Sequence, residues 1–317
     1  MPAGLLVGSF DPVCVFDVLD AEALLSAGAD KVYLIPVRNE SYVPDMLKAL
    51  CERVPGCEIC QDKEKIRKLM AESDQTLTVA EGQVCPIDDI PQLDSAKEDI
   101  RSGVREQITA YRESDLLLPE TAVYIAQNGL YHTERFEEKM ASVMNEKRFR
   151  HTLGVRDMAV KLANIHQIPL QKAALAALLH DCAKDYPKDK QRELAVLSGI
   201  TDERILSSGE ILHSFAGAYE AQHRWEIRDA DILNAIRYHT VGRRDMTMLE
   251  LCVFVADACE MNRAPYPGLD EIRAAAQTDL RAAALISLKR TKEYVLSRGL
   301  AFNPVTDDTI AWLESIG

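Results

Sequence analysis

Beyond about Thr133 the chain carries one kind of periodicity only, and this restricts its fold more than any other feature. Apolar residues recur at helical spacing in Glu134 to His166, Leu170 to Leu179, Lys188 to Leu197, Asp202 to Leu206, Ile211 to Trp225, Ala230 to His239, Met248 to Met261, Leu269 to Ser297 and Asp307 to Ile316. Pro or Gly stands at the breaks, as in IPL, SGI, YPGL and SRGLAFNP. Residues 133–317 therefore predict an all-α domain.

Residues 1–132 follow a different pattern. Leu5-Leu6-Val7 reads as a short strand running into GSFDP, a helical pattern follows from about Asp17 to Ala27, and KVYLIPV (Lys31 to Val37) reads as a second strand. Strand, helix, strand implies a parallel pair and an α/β domain. Pro44 to Val54, Lys63 to Met70 and Asp94 to Tyr111 look helical, and Pro119 begins a helix that stops at Asn128-Gly129. The two halves join with almost no linker, and no internal repeat or low-complexity tract is visible.

Composition removes several function classes. In 317 residues no apolar stretch reaches the roughly 18 to 20 needed to cross a bilayer, and the start MPAGLLVGSFDP lacks the basic region of an export signal. A cytoplasmic protein without membrane partners is expected. A net charge of −13 argues against a nucleic-acid partner, while an anionic small substrate stays compatible if a metal and a few local cations override the global field. Cys14, Cys51, Cys57, Cys60, Cys85, Cys182, Cys252 and Cys259 are then expected as thiols. CEIC at Cys57 to Cys60, with Cys51 and Cys85, suggests a zinc site but lacks a second close pair.

The helical half places ionisable residues where its pattern demands core. Met144, His151, Val155, Met158, Leu162 and Ile165 share one helical face, and Arg148 lies one turn before His151. AALAALL ends in His180-Asp181, His213 follows Ile211-Leu212, His239 shares a face with Ile232 and Ile236, and Asp257 sits inside CVFVADACEM. A lone histidine on an apolar face is usually a hydrogen-bonded core residue. Four in such settings, with two carboxylates that cost several kcal/mol each to bury unpaired, point to a shared divalent cation. Asp181 alone has a plainer alternative, as an N-cap or a local pair with Lys184.

In this order His151, His180-Asp181, His213, His239 and Asp257 resemble the HD-domain metal-dependent phosphohydrolases. The words RFRHTLGV, LLHDCAKD, ILHSFAGA, IRYHTVGR, FVADACEMNR and GLAFNPVTDDT resemble the YqeK-type symmetrical bis(5'-nucleosyl)-tetraphosphatases over nearly all of the helical half. Such enzymes split diadenosine tetraphosphate into two ADP and are associated with iron; manganese and magnesium are the alternatives. The resemblance implies His151, His180, Asp181 and Asp257 as metal ligands, with His213 and His239 either completing a second ion site or facing the nucleotide. It implies catalytic roles for Asp181, Lys184, His213 and His239. Around the nucleotide it places Arg148, His151, Lys184, His213, His239, Thr240, Asp257, Arg263 and the loop Leu300, Ala301, Phe302, Asn303, Pro304 and Val305. Arg263 has the plain alternative of pairing with Glu260, and Arg243 is a weaker phosphate candidate. Pro304 is expected to hold the loop out of helix. A homodimer is compatible with this reading.

VGSFDPV, LDSAKEDIR and LLLPETAVYIAQNGLY resemble the nicotinate-nucleotide adenylyltransferases, which have a Rossmann-like nucleotidyltransferase fold. In that family GSFDP leads into two histidines; here Cys14 and Asp17 stand in their places, and the phosphate loop has become Asp94-Ser95-Ala96. Adenylyl transfer is expected to be lost. The fold expected is thus a degenerate nucleotidyltransferase-like α/β domain followed by a catalytic HD bundle. Its enzymatic alternative is an HD phosphohydrolase for a dNTP, a cyclic nucleotide or an alarmone, and its non-enzymatic one a nucleotide sensor. A front half that still makes a dinucleotide cofactor is a third.

Overall fold

The protein is described from a computed structural model over residues 3–36, 41–62, 64–65, 68, 77–80, 83–86, 95–110, 113–131 and 136–316. The chain divides into two compact units, Met1–Ile125 and Ala126–Gly317. The expected junction at 132/133 lies outside the described residues, as does most of the expected 63–70 helix.

The first unit runs β1 (Ala3–Gly8), α1 (Val15–Ser26), β2 (Lys31–Pro36), α2 (Val43–Arg53), β3 (Cys57–Ile59), β4 (Leu77–Ala80), β5 (Gln83–Pro86) and α3 (Ser95–Thr109), with α4 (Pro119–Asn128) across the division. Its sheet has the order β3-β2-β1-β4-β5. The first four strands are parallel, β1 pairing with β2 from Ala3↔Lys31 to Gly8↔Pro36, and β5 returns antiparallel on β4. Helices between parallel strands are what such connections require. Strands β3, β4 and β5 are additions to the sequence reading: each is too short to show alternation. Cys57 therefore lies in a strand, and among the described residues the groups able to hold a metal are all His/Asp clusters, none of them cysteine.

The second unit is entirely helical among its described residues: α5 (Phe136–Val143), α6 (Glu146–Ile165), α7 (Leu170–Leu179), α8 (Lys188–Leu197), α9 (Glu203–Leu206), α10 (Leu212–His223), α11 (Ala230–Tyr238), α12 (Met248–Cys259), α13 (Leu269–Ala276), α14 (Leu280–Ser297) and α15 (Pro304–Ile316). Two expected long helices are broken by caps. Asn145 accepts from Arg148 N at 3.0 Å and starts α6, and Asp279 accepts from Arg281 N at 2.8 Å and starts α14. A third correction concerns Pro304, which opens α15 instead of delaying it; its missing N–H costs nothing at a helix start, and Asn303 Oδ1 takes Val305 N at 2.9 Å. On α6, Val155, Met158 and Leu162 are buried as their spacing predicts, but Ile165 at the helix end is exposed.

Helix α6 packs on α7 and α12, and α11 packs on α10 and α12. The chain is buried without interruption from Ala173 to Ala183, so α7 delivers its last turn into the middle of the unit. No helix among the described residues is long and apolar enough to cross a membrane.

Candidate active site

Six of the residues singled out in the sequence converge. His151 comes from the first half of α6, His180 caps the C-terminus of α7 with Asp181 after it, His213 stands in the first turn of α10, His239 caps α11, and Asp257 lies near the end of α12. The rings form a chain of edge contacts, His151 to His180 at 5.6 Å, His180 to His239 at 4.9 Å and His239 to His213 at 5.1 Å between centroids.

The last turn of a helix leaves carbonyls without intrahelical partners, and two histidines use them. Nδ1 of His180 lies 2.6 Å from Ala177 O, and Nδ1 of His239 lies 2.7 Å from Ile236 O. Each Nδ1–H therefore donates to backbone, leaving Nε2 as a lone-pair donor directed inward. His151 is mid-helix, where the carbonyls are occupied. Its Nδ1 instead faces Glu260 Oε1 at 3.2 Å, and its Nε2 faces Asp257 Oδ1 at 3.0 Å. His213 differs from all three: both ring nitrogens lie near Lys184 Nζ, at 3.1 and 2.9 Å, and its Nε2 is 3.2 Å from Asp181 Oδ1.

The inward Nε2 of His180 is buried with no hydrogen-bond partner. Asp181 Oδ2 and Asp257 Oδ1 stand 3.8 and 3.9 Å from it. An orphaned imidazole lone pair between two carboxylates is what a cation would satisfy. Two overlapping ligand groups can be drawn, His151-His180-Asp257 and His180-Asp181-His239, each with its donor atoms within 4.8 Å of one another. Nitrogen and carboxylate oxygen donors suit a first-row divalent metal.

Electrostatics follow from this crowding. Burial pushes His180 down to about 4 and His213 down to about 3, so both are neutral at pH 7 and able to donate lone pairs. Burial would raise the Asp181 carboxyl, but the neighbouring His180 and the His213 hydrogen bond hold it well below the usual range. Asp257 is likewise depressed, against the effect of burial, by His151 and the Arg263 charge. Burial opposes protonation of His151, yet the Asp257 hydrogen bond and charge prevail and raise it.

Two arginines pair with the carboxylates of this cluster. Arg148 gives Nη1 to Asp181 Oδ2 at 2.7 Å and Nε to Asp185 Oδ1 at 2.9 Å, and Arg263 gives Nη2 to Asp257 Oδ1 at 2.6 Å. Arg263 thus pairs with Asp257, not Glu260. Asp181 has Arg148, His213 and His239 as its partners, so the plainer Lys184 pairing is not formed. His180 and His213 are sealed, whereas His151, Asp257, Arg148 and Arg263 are partly open to solvent.

Other predicted residues are committed elsewhere. Thr240 Oγ1 is 3.0 Å from Ser214 Oγ, beside His239 in sequence. Arg243 makes a two-pronged pair with the buried Glu250, at 3.0 and 2.8 Å, which closes the start of α12. In the segment Leu300 to Val305, Asn303 donates to Arg204 O at 2.8 Å, Phe302 stacks under Lys292, and Val305 packs beside the Phe215–Val241 apolar cluster. Sequence reasoning missed Glu260 and Asp185. A signal for Glu260 existed: Gly154, an isolated glycine in a helical pattern. A Cβ there would lie 2.4 Å from Glu260 Oε2.

In the first unit Cys14 is the N-cap of α1, with its backbone N bonded to Asp17 Oδ2 at 2.7 Å. Asp17 also receives Arg101, and both side chains are almost fully buried. Burial pushes Cys14 up to about 12 and Asp17 up to about 6.

An HD-domain family model matches residues 148–262. A Bacillus subtilis protein named symmetrical bis(5'-nucleosyl)-tetraphosphatase is 39% identical over 182 residues, 56% of this chain and 97% of that protein. A Mycoplasma genitalium protein named "Probable nicotinate-nucleotide adenylyltransferase/Ap4A hydrolase" is 31% identical over 179 residues, 54% of this chain and 49% of that one. A crystal structure from Clostridium acetobutylicum, described as a predicted HD superfamily hydrolase involved in NAD metabolism, is 36% identical, with a TM-score of 0.56 over 58% of this chain and 97% of that one. With its six converging His and Asp side chains inside the matched HD region and its identity spanning nearly all of the Bacillus relative, the chain belongs to the HD-domain family whose members are named symmetrical bis(5'-nucleosyl)-tetraphosphatase.

Proposed function

We propose that the chain hydrolyses dinucleoside polyphosphates to nucleoside diphosphates, with diadenosine tetraphosphate giving two ADP. The observation that carries this is the buried, unpartnered His180 Nε2 between Asp181 and Asp257, ringed by Arg148, Lys184 and Arg263. His151, His180, Asp181 and Asp257 would hold the ion, with His239 next to it and preset by the Ile236 carbonyl. Iron is the proposed metal, and manganese or magnesium would fit the same donors. When bound, a divalent ion there supplies an acidified water and polarises a phosphoryl oxygen. Arg148 and Arg263 receive the phosphate chain at the open side and neutralise its charge. Lys184, held against His213, is placed to hold charge on the leaving phosphate, and His213 to move a proton between Nε2 and the site. Thr240 and the segment Leu300 to Val305 are proposed as the nucleotide's neighbours on the strength of the resemblance alone.

The first unit is proposed to be a Rossmann-like nucleotidyltransferase-type domain without transfer activity. Its parallel order β3-β2-β1-β4 supports the fold. The Asp17 carboxylate at the start of α1, already bonded to Arg101, supports the loss, because it puts negative charge where the family holds a transferring phosphate.

Incubation of the full chain with Mn²⁺ or Fe²⁺ and diadenosine tetraphosphate should yield ADP alone. Formation of ATP plus AMP would sink the proposal. Asp181→Ala and His180→Ala are each expected to lower turnover by about a hundredfold or more, and turnover equal to wild type would place the activity elsewhere.

A further inference from the structure

We infer that Glu260 is a positioning residue for the metal centre, which fixes His151 as a ligand from behind, and that Gly154 is small in order to admit it. The inference deepens the proposed metal site and rests on His151 being one of its ligands. Of the three histidines with Nε2 facing inward, two have Nδ1 anchored to a helix-end carbonyl. His151 cannot use that device, since it lies within the twenty residues of α6. Glu260 Oε1 stands in for the carbonyl at 3.2 Å.

The carboxylate is built into place. Glu260 is 2% exposed and ends α12; its Oε2 accepts from Asn262 N, and its carbonyl is held by Arg273 Nη2 at 2.8 Å. Among the described residues its one cationic-type partner is His151. A buried carboxylate without Arg or Lys is costly unless it gains from a positive neighbour, and an imidazole carrying a metal on its far nitrogen is such a neighbour. Acceptance of Nδ1–H would leave the Nε2 lone pair free for an ion that replaces the Nε2 proton, and would raise the basicity of the ring. The helix opposite has been cut away to allow this: a Cβ on Gly154, one turn from His151, would stand 2.4 Å from Glu260 Oε2 and 2.8 Å from Asn262 Nδ2.

The test is Mn²⁺ titration of the metal-stripped full chain, with free Mn²⁺ read by electron paramagnetic resonance. Glu260→Ala should weaken binding about ten- to a hundredfold. Glu260→Gln, which keeps an acceptor without the charge, should fall between, and Gly154→Ala should weaken binding by displacing the carboxylate. ¹⁵N spectra of Zn²⁺-loaded protein should show His151 protonated on Nδ1 in the wild type, with that signal shifted in the Glu260→Gln variant. If Glu260→Ala does not fold, the other two variants carry the test. Wild-type Mn²⁺ affinity in Glu260→Gln and Gly154→Ala, with binding lost in His151→Ala, would overturn the inference while leaving the metal site standing. Wild-type affinity in His151→Ala would remove the metal reading and the inference with it.

Discussion

Arg243 and Arg263 look alike in the sequence, each a cation near a histidine or aspartate word, but they have opposite settings. Arg243 is spent on the buried Glu250, whereas Arg263 reaches Asp257 from the open side of the centre. Arg243→Ala is therefore expected to destabilise the helical unit by about 3 to 5 kcal/mol, because it leaves a buried carboxylate unpaired, with KM unchanged in the folded fraction. Arg263→Ala should raise KM for the tetraphosphate several-fold with little change in thermal midpoint. The convergence of these histidines and aspartates was legible because such residues at apolar helical positions are rare and collect here. Glu260 left only the indirect mark of Gly154, since a glutamate next to a methionine at a helix end reads as surface. Only the folded chain shows it turned inward onto His151.

At the scale of elements, α7 and α8 match their predicted bounds and the long helices 134–166 and 269–297 do not. Apolar spacing continues in phase across a short break, so periodicity alone cannot see it; the caps Asn145 and Asp279 can be read only by their side chains turning back onto backbone N–H groups. Asn145→Ala and Asp279→Ala should each cost about 1 kcal/mol, measured by urea unfolding. Asn145 should show a second effect that Asp279 does not. Its Nδ2 also holds Asp185 at 2.9 Å, the carboxylate that steadies Arg148, so Asn145→Ala is expected to lower turnover as well.

In the whole molecule the two units should answer acid differently once metal is removed. Folding depresses His180 to about 4, so the unfolded chain takes up the proton first as pH falls below about 6.5; stability from this group is full above that value and lost on the way down to 4. The loss is about 3 kcal/mol for His180 alone, and His213 acts in the same sense. His151, raised by Asp257, opposes them with a smaller shift. In the first unit Asp17 is raised to about 6, so its contribution is full below about pH 4 and lost as pH rises through 6. Hydrogen exchange of the metal-free chain at pH 4.5 and 7 should show the helical unit loosening in acid with no matching loss around α1. Asp17→Ala, which removes one of the two carboxylates on the buried Arg101 and leaves it Glu98 at 2.9 Å, should destabilise the first unit by about 1 to 3 kcal/mol.

The unbroken burial from Ala173 to Ala183 sets a clock for the site. Its residues are buried, so its amides are expected to exchange with solvent only when the helical unit opens as a whole, a pattern that hydrogen exchange resolved by residue would show. His180 and Asp181 lie inside that stretch, while His151 and Asp257 sit at its edge. Two of the proposed ligands thus belong to the slowest-exchanging part of the unit and two to a faster margin. An ion held by the proposed ligands would then be lost and captured by movement at His151 and Asp257, against a floor that stays shut for as long as the unit is folded.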